Sequence, residues 1–192
     1  MMVSKREQLI EAAMALFQER GFRATGIDAI LSRAGVAKMT LYKHFGSKDD
    51  LVFAAIRRAD EQWRHWFTQE IERRASDPRG RLIAVFEIAG DWIRRPDFQG
   101  CMFARAAGEF TDQDAPVRSA CAEHNKLLTR LLRGLAQDAG AADPDALAGQ
   151  LAILFLGTIT SAQANGASDP ACIACDAART LIDSQIGAKN TV

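Results

Sequence analysis

The apolar residues of this chain recur at helical spacing almost throughout, and no segment alternates as a half-buried strand does. Between Lys5 and Arg20, for example, one stripe is apolar and the charged residues lie mostly off it; the stripe comprises Leu9, Ala13, Leu16 and Phe17. The pattern therefore predicts an all-α protein with about nine helices.

Glycine and capping residues indicate where these helices begin and end. Gly21 and Gly35 are expected to end the first two, because glycine adopts positive φ without strain. Ser47, followed three residues later by an acidic residue, is expected to cap a long helix from Lys48 to about Ala75. Further helices are predicted over residues 78–93, 100–110, 116–139 and 145–164, with a last one that follows Ser168 and Asp169 and reaches about residue 186.

The segment from Gly21 to Leu51 contains two helices, each too short to be stable alone, joined by a glycine turn. This layout is typical of a helix-turn-helix, whose second helix enters the major groove of DNA. Its expected core is Ile27, Ile30, Leu31, Val36, Leu41 and Phe45. The residues left exposed, which suit contacts with phosphates and base edges, are Lys38, Met39, Thr40, Tyr42, Lys43 and His44. Periodicity alone leaves open a plain helical hairpin with a solvated polar face.

The distribution of charge along the chain indicates that DNA, if bound, approaches the amino-terminal part. The 192 residues carry no formal net charge, and the 48% hydrophobic and 25% charged fractions are those of an ordinary globular protein. Up to Lys48, however, basic residues outnumber acidic residues by four, which leaves the remainder equally acidic.

The amino-terminal residues do not resemble a secretory signal, and no stretch is expected to be long and apolar enough to span a bilayer. We therefore expect a cytoplasmic protein with reduced thiols and no membrane partner. Cys172 and Cys175 form a CxxC, and with Cys121 and His124 they could supply a zinc site or a redox switch. Because both pairs fall on predicted helices, buried inert thiols are the preferred interpretation, and no metal or cofactor is expected.

Residues from Lys5 to about Ile56 resemble the DNA-binding domain of the TetR family of bacterial regulators. The matching residues, in order and at the family's spacing, are Ala13, Leu16, Phe17, Gly21, Phe22, Thr25, Ala34, Gly35, Val36, the run from Thr40 to Phe45, Ser47, Lys48 and Leu51. The resemblance implies a three-helix helix-turn-helix domain over residues 1–50, followed by a helical effector-binding and dimerisation domain over residues 51–192.

The resemblance also implies roles for individual residues near the recognition helix. Thr25, Tyr42 and His44 would contact phosphates, and Lys43 a phosphate or a base. Lys48 would hold a phosphate at a helix N-terminus, where an anion is already favoured. The residues that stand where the family contacts base edges are Lys38, Met39 and Thr40.

Three residues depart from the family's pattern. Ala37 stands where Ser or Thr usually caps the recognition helix, a change expected to cost about 1 kcal/mol of helix stability. Gly26 stands where a second Ser or Thr is common. Met39 is larger than the residue often found at its position, which leaves base specificity open.

The remainder of the chain resembles the family's regulatory domain more loosely, with the best match at Gly100 to Phe110. Arg105 and Glu109 in this segment are spaced for an ion pair on one helix. Residues that could line a largely apolar effector pocket are Trp63, Trp66, Phe67, Phe86, Trp92, Phe103, Arg105, His124 and Phe155. Each of them taken alone is better explained as ordinary core or surface.

The last two helices are expected, by the same resemblance, to pair with their copies in a homodimer, which two DNA half-sites require. The expected interface comprises Leu147, Leu151, Leu154, Phe155, Ile173, Ala177 and Leu181. Burial of these residues within one chain is the alternative.

The leading hypothesis is a non-enzymatic transcriptional regulator, a repressor released from double-stranded operator DNA by a small, largely apolar or aromatic effector. One alternative is a helical small-molecule-binding or scaffolding protein that has lost specific DNA binding, which Ala37 and Gly26 favour. A second alternative is a small helical enzyme. Against an enzyme, the sequence contains no nucleophile elbow, phosphate loop or metal-binding helix motif.

Overall fold

The computed structural model describes residues 3–111, 116–165 and 170–186, which form nine α-helices and no strand. The predicted all-α fold is confirmed. The expected start of the last helix at Ser168 and Asp169 lies outside the described residues. The helices are α1 (Lys5–Arg20), α2 (Ile27–Ala34), α3 (Lys38–His44), α4 (Lys48–Arg74), α5 (Pro78–Ile93), α6 (Met102–Glu109), α7 (Pro116–Asp138), α8 (Pro144–Asn165) and α9 (Pro170–Ile186).

The glycines and capping residues act at the helix ends as predicted. Gly21 and Gly35 follow α1 and α2 with φ angles of 86° and 63°. Ser47 accepts a hydrogen bond from the backbone N–H of Asp50 at 3.1 Å, which caps α4. Ser4 caps α1 in the same way through the N–H of Glu7, a cap that the sequence pattern did not predict.

The two helices of the helix-turn-helix lack side-chain caps at their amino-terminal ends. Gly26 and Ala37 occupy the N-cap positions of α2 and α3, and neither has a side-chain oxygen that could accept an N–H of the first turn. The stability of both helices therefore depends on packing rather than on their own ends.

The described residues form two compact units. The first contains the residues up to Arg64 together with Cys101–His124, so α6 and the first part of α7 pack with the amino-terminal helices. The predicted division after residue 50 stays a prediction; the first unit continues along α4 beyond it. Its core includes Leu9, Leu16, Phe17, Phe22, Ile30, Leu41, Phe45, Leu51, Ile56, Phe103 and Ala106.

The second unit contains His65–Gly100 and the residues from Asn125 onward, and α5, α8 and α9 pack against one another in it. The ring of Phe155 lies 5.7 Å from that of Phe67 and 6.4 Å from that of Phe86, measured between centroids. Other buried residues of this core are Leu82, Val85, Leu147, Leu151 and Ile182.

One helix in the described part of the chain is long and apolar enough to cross a membrane by length and composition. It is the stretch Pro144–Ala164 of α8, which corrects the expectation that no such segment exists. The core helix of a globular protein passes the same test, because it is apolar on more than one face. Only 39% of an 18-residue window in this stretch is buried within the chain, so α8 leaves much apolar surface uncovered.

Candidate nucleic-acid interface

The turn between α2 and α3 is built on Gly35. Gly35 adopts the left-handed conformation. The backbone N–H of Val36 can therefore donate to the carbonyl of Leu31 at 3.2 Å, which closes the end of α2. Of the six residues predicted for the core, Ile30, Leu41 and Phe45 are buried. The other three, which are partly buried and pack against the same core, are Ile27, Leu31 and Val36.

The opposite side of α3 faces solvent and carries no acidic residue. The seven-residue sequence of α3 includes Lys38, Lys43 and His44, all of them exposed. Met39 is 85% exposed, and Tyr42 is also exposed. One open surface depression is lined by Lys38, Met39, Thr40, Tyr42 and Lys43. The structure therefore brings most of the predicted DNA-contacting residues onto one basic face, which we call the α3 face.

Two predicted phosphate ligands instead hold the turn that follows α1. Thr25 is 0% exposed, and its hydroxyl donates to the carbonyl of Gly21 at 2.6 Å. A buried hydroxyl cannot meet a phosphate, so the expectation for Thr25 does not fit its placement. Lys48 is half-buried, and its ammonium donates to the carbonyl of Phe22 at 2.7 Å, which joins the start of α4 to the same turn.

Helix α6 also binds this segment, which we call the Gly21–Thr25 turn. The carboxylate of Glu109 accepts the backbone N–H groups of Phe22 and Arg23 at 3.1 and 2.7 Å. Arg105 donates to the carbonyl oxygens of Phe17 and Gln18 at 3.2 and 2.8 Å, close to the carboxyl end of α1. A cation is favourable there because the helix dipole is negative at that end. Arg105 and Glu109, which the sequence suggested as a pair, thus both bind the backbone near the end of α1.

Aromatic rings fill the space beneath these polar contacts. Phe22 stacks on Phe17 at a centroid distance of 4.7 Å and meets Phe110 edge-on at 5.9 Å. Arg6 lies over the ring of Phe45 at 5.3 Å, which brings an exposed cation next to the end of α3. Arg6 was not among the predicted DNA-contacting residues, because its proximity to α3 depends on the packing of α1.

A buried polar pair joins α4 to α7 in the first unit. Nδ1 of His124, which is 4% exposed, lies 2.8 Å from a carboxylate oxygen of Asp60. Burial lowers the pKa of His124 below its ordinary value, although Asp60 acts in the opposite direction. The neutral imidazole donates Nδ1–H to Asp60, whose second oxygen accepts from Arg64 at 2.9 Å.

Aromatic residues cover the imidazole of His124 on two sides. Phe103 of α6 stacks on it at a centroid distance of 3.6 Å, and Trp63 of α4 meets it edge-on at 4.8 Å. We call Asp60, His124, Trp63 and Phe103 the histidine cluster. Three of the predicted effector-binding residues therefore meet here, while Arg105 binds the backbone near the end of α1.

The other predicted effector-binding residues lie in the second unit. Phe67, Phe86 and Phe155 are buried in its core, and Trp66 lies 6.1 Å from Phe67. Trp92 packs edge-on against Phe98 at 5.3 Å. The contacts of Phe67, Phe86 and Phe155 are those of ordinary core packing, whereas Trp66 lies at the surface and is 41% exposed.

Three of the residues predicted for a dimer interface are buried within the chain itself. Leu147 and Leu151 are completely buried within the chain and Phe155 nearly so, so they pack inside the second unit and cannot contact a partner. The apolar residues that α8 and α9 expose are instead Ile153, at 75%, and Ile173, at 70%. The remaining predicted residues, which are partly buried, are Leu154, Ala177 and Leu181.

Ile153 and Ile173 belong to one uncharged stripe on each helix. After Asp145, α8 contains no charged residue at all. The stripe residues that reach solvent, fully or in part, are Ala146, Gln150, Ile153, Leu154, Gly157 and Thr160 on α8, and Ile173, Ala177, Thr180, Leu181 and Ser184 on α9. We call these two stripes the uncharged face of the second unit.

The cysteines are not assembled into a site in the described ranges. No group of three or more His, Cys, Asp or Glu side chains among the described residues is placed to hold a metal ion. Burial raises the pKa of the Cys121 thiol to about 11, which keeps it protonated and weakly nucleophilic. The expectation of buried thiols fits Cys121 but is wrong for Cys172, which is exposed at the surface of α9, while Cys101 and Cys175 are half-buried.

Comparison with known families matches most of the chain. Residues 9–55 match the family described as bacterial regulatory proteins, tetR family, and residues 78–178 match the tetracyclin repressor-like, C-terminal domain. Over 96 residues the chain is 41% identical to the HTH-type transcriptional activator FasR of Mycolicibacterium smegmatis. That alignment covers 50% of this chain and 43% of FasR, so the match spans less than half of the relative.

Solved structures match over nearly the whole chain. SCO4454, a TetR-family transcriptional regulator from Streptomyces coelicolor, superposes with a TM-score of 0.86 at 27% identity, covering 95% of this chain and 96% of that one. The putative tetr-transcriptional regulator sav143 from Streptomyces avermitilis superposes with a TM-score of 0.83 at 32% identity, covering 95% and 98%.

The contact between Glu109 and the Gly21–Thr25 turn can be tested by one substitution. Glu109→Gln should lower the free energy of unfolding by about 1–3 kcal/mol, because the amide turns an N–H group toward a backbone N–H that needs an acceptor. Urea denaturation of the full chain measures this, with Glu72→Gln at an exposed position of α4 as the matched control, expected within about 0.5 kcal/mol of the wild type. If Glu109→Gln proves as stable as Glu72→Gln, the contact does not stabilise the first unit.

Proposed function

Because the chain belongs to the TetR family of bacterial regulatory proteins, we propose that it is a DNA-binding transcriptional regulator that contacts its operator through the α3 face. The family consists of regulators and not of enzymes. The α3 face carries this proposal: it is exposed, basic and free of acidic residues along α3, and it follows the turn at Gly35. Such a face suits the phosphates and base edges of a major groove. We place the protein in the cytoplasm, where bacterial DNA lies.

Each residue of the α3 face has a proposed partner on DNA. Tyr42, Lys43 and His44 contact phosphates, and the first turn of α3 faces base edges. Lys48 keeps two of its three ammonium hydrogens for a phosphate after donating one to Phe22, so it stays in the proposal. We add Arg6, whose guanidinium lies next to the end of α3. Thr25 is left out because it is buried.

The salt dependence of DNA binding tests this function. Lys43→Ala should weaken binding to a duplex from the region upstream of the protein's own gene, and Tyr42→Phe should weaken it with the fold intact. For Lys43→Ala, the slope of log K against log salt should fall by about 0.9 for each phosphate that the variant no longer neutralises. Fluorescence anisotropy of the labelled duplex at several salt concentrations measures both quantities.

Lys126→Ala is the matched control, because it removes the same charge from an exposed position of α7. Its slope and affinity should equal those of the wild type. If Lys43→Ala and Lys126→Ala change binding equally, only net charge matters and the α3 face is not the interface.

We further propose that two chains assemble through the uncharged face of the second unit. Members of this family typically dimerise, and a two-fold protein matches two half-sites of DNA. An uncharged stripe with exposed isoleucines on two adjacent helices is what a helical interface buries, since charged residues are depleted from the centre of interfaces. The buried Leu147 and Leu151 instead belong to the chain's own core.

A pair of substitutions tests whether the exposed face of α8, rather than its buried face, forms the dimer interface. Ile153→Glu with Ile173→Glu should give folded monomers, because each dimer would have to bury four unpaired carboxylates. Light scattering coupled to gel filtration measures the mass, and Ala122→Glu with Gln137→Glu on exposed positions of α7 should stay dimeric.

Leu151→Ala provides the contrast within the same helix. It should lower the free energy of unfolding by about 2–5 kcal/mol while the folded protein remains a dimer. A dimeric Ile153→Glu, Ile173→Glu variant would exclude the uncharged face as the interface.

We propose repression as the sign of regulation, because exclusion of polymerase from a promoter needs no protein surface beyond the α3 face and the uncharged face. FasR is named an activator, so the family alone does not determine the sign.

We propose that the effector is a small aromatic molecule that acts at the histidine cluster. Phe103 stacks on His124, and the same helix carries the Arg105 and Glu109 that bind near the end of α1. A ligand ring that replaced Phe103 on the imidazole would displace α6 and loosen the Gly21–Thr25 turn. The effector must then bind DNA-free protein more tightly than DNA-bound protein, and DNA must weaken effector binding by the same factor.

Calorimetry tests this coupling. A panel of indole, naphthalene and benzoate derivatives is first screened by thermal shift. Binding near His124 is then followed by fluorescence of a Trp66→Phe, Trp92→Phe variant, in which Trp63 is the one remaining tryptophan. Any ligand found should bind free protein about 5- to 150-fold more tightly than the protein–DNA complex. Equal affinities in the two titrations would mean that the ligand does not regulate DNA binding, however tightly it binds.

A further inference from the structure

Met39 is the most exposed large apolar side chain in the described part of the molecule. The next two, Ile153 and Ile173, lie on the uncharged face, where a second chain is proposed to cover them. Met39 does not lie on the uncharged face. It lines a surface depression together with Lys38, Thr40, Tyr42 and Lys43. The partner of this surface is anionic, because α3 carries cations and no acidic residue. An apolar side chain on a basic face would be stabilised by an apolar group on an otherwise anionic partner.

The position of Met39 in α3 indicates which apolar group of DNA it can contact. It is the second residue of the helix, and the first turn of the second helix in a helix-turn-helix contacts base edges. A thioether donates no hydrogen bond and accepts one only weakly. Against guanine, adenine or cytosine it would remove polar base edges from water without replacing their hydrogen bonds, which costs free energy. Thymine alone presents a methyl group in the major groove.

We propose that Met39 selects thymine at one position of each operator half-site by packing against its 5-methyl group. This inference rests on the proposed DNA-binding function and names the base that the α3 face prefers. The flexible, polarisable Met side chain can follow the methyl group over a range of approach angles, which a β-branched residue cannot.

The experiment starts from duplexes selected by the full-length wild-type protein out of a random pool. The selected sequences should contain thymine at one symmetry-related position in each half-site. Replacing that thymine by deoxyuridine, which lacks only the methyl group, should weaken binding about fourfold per half-site, the factor expected for exposing one methyl-sized group. Replacement in both half-sites should weaken binding by roughly 15-fold, because the two contacts are independent. Deoxyuridine at other thymine positions should have no such effect.

Variants of Met39 assign the effect to this side chain. Met39→Gln, which keeps the length but replaces the apolar end, should bind thymine and uracil duplexes equally, whereas Met39→Leu should retain the preference. Lys43→Ala should weaken both duplexes by the same factor and leave their ratio unchanged. Circular dichroism confirms that each variant is folded, which the exposure of these positions favours.

Two results would overturn the proposal while leaving the function intact. One is a wild type that binds thymine and uracil duplexes equally; the other is a Met39→Gln variant that keeps the wild-type ratio. If the wild type selects no sequence from the pool, specific DNA binding fails and this inference fails with it.

Discussion

The packing of the first unit depends on side chains that hydrogen-bond to the backbone N–H and carbonyl groups of the Gly21–Thr25 turn. A helix end leaves carbonyl and N–H groups without partners, and burying them unpaired would cost free energy at each group. Thr25, Lys48 and Glu109 supply partners within this turn, and Arg105 supplies one to α1 just before it. These side chains come from the turn itself, α4 and α6, so one short segment joins α1 to two further helices. Gly21 is required at its start because φ is 86° and a Cβ atom would lie 2.9 Å from the Glu109 carboxylate.

This arrangement explains which features could be predicted from sequence. Helix ends follow from glycines and capping residues a few positions away, so Gly21, Gly35 and Ser47 were assigned correctly. Glu109 and Phe22 are 87 residues apart, and no local pattern joins them. Thr25 is assigned to a phosphate by family resemblance alone, whereas in the structure its buried hydroxyl donates to the carbonyl of Gly21, four residues before it.

In helix α8, the sequence pattern could not predict which face is buried. Periodicity separates an apolar face from a polar face, but α8 has few polar residues and no charge after Asp145, so several of its faces are apolar. Leu151 and Ile153 are equally apolar, yet the first is buried and the second exposed. Only the packing of α5 and α9 against α8 decides between them. In such a helix the absence of charge, rather than the presence of leucine, distinguishes the exposed face that we propose as the dimer interface.

The composition of the first unit also bears on how a regulator of this kind can respond to a ligand. Helix α6 contributes Phe103 and Ala106 to the same hydrophobic core that holds Leu41 and Phe45 of the helix-turn-helix. The amino-terminal helices therefore do not form a complete core by themselves, because α6 supplies part of it and binds the backbone next to the end of α1. Phe103 also stacks on His124, so the proposed effector, by changing the histidine cluster, would act on a helix that is already part of the first unit. Coupling between ligand and DNA then needs no extended chain of intermediate residues: one helix with two alternative positions, biased by both partners, is sufficient.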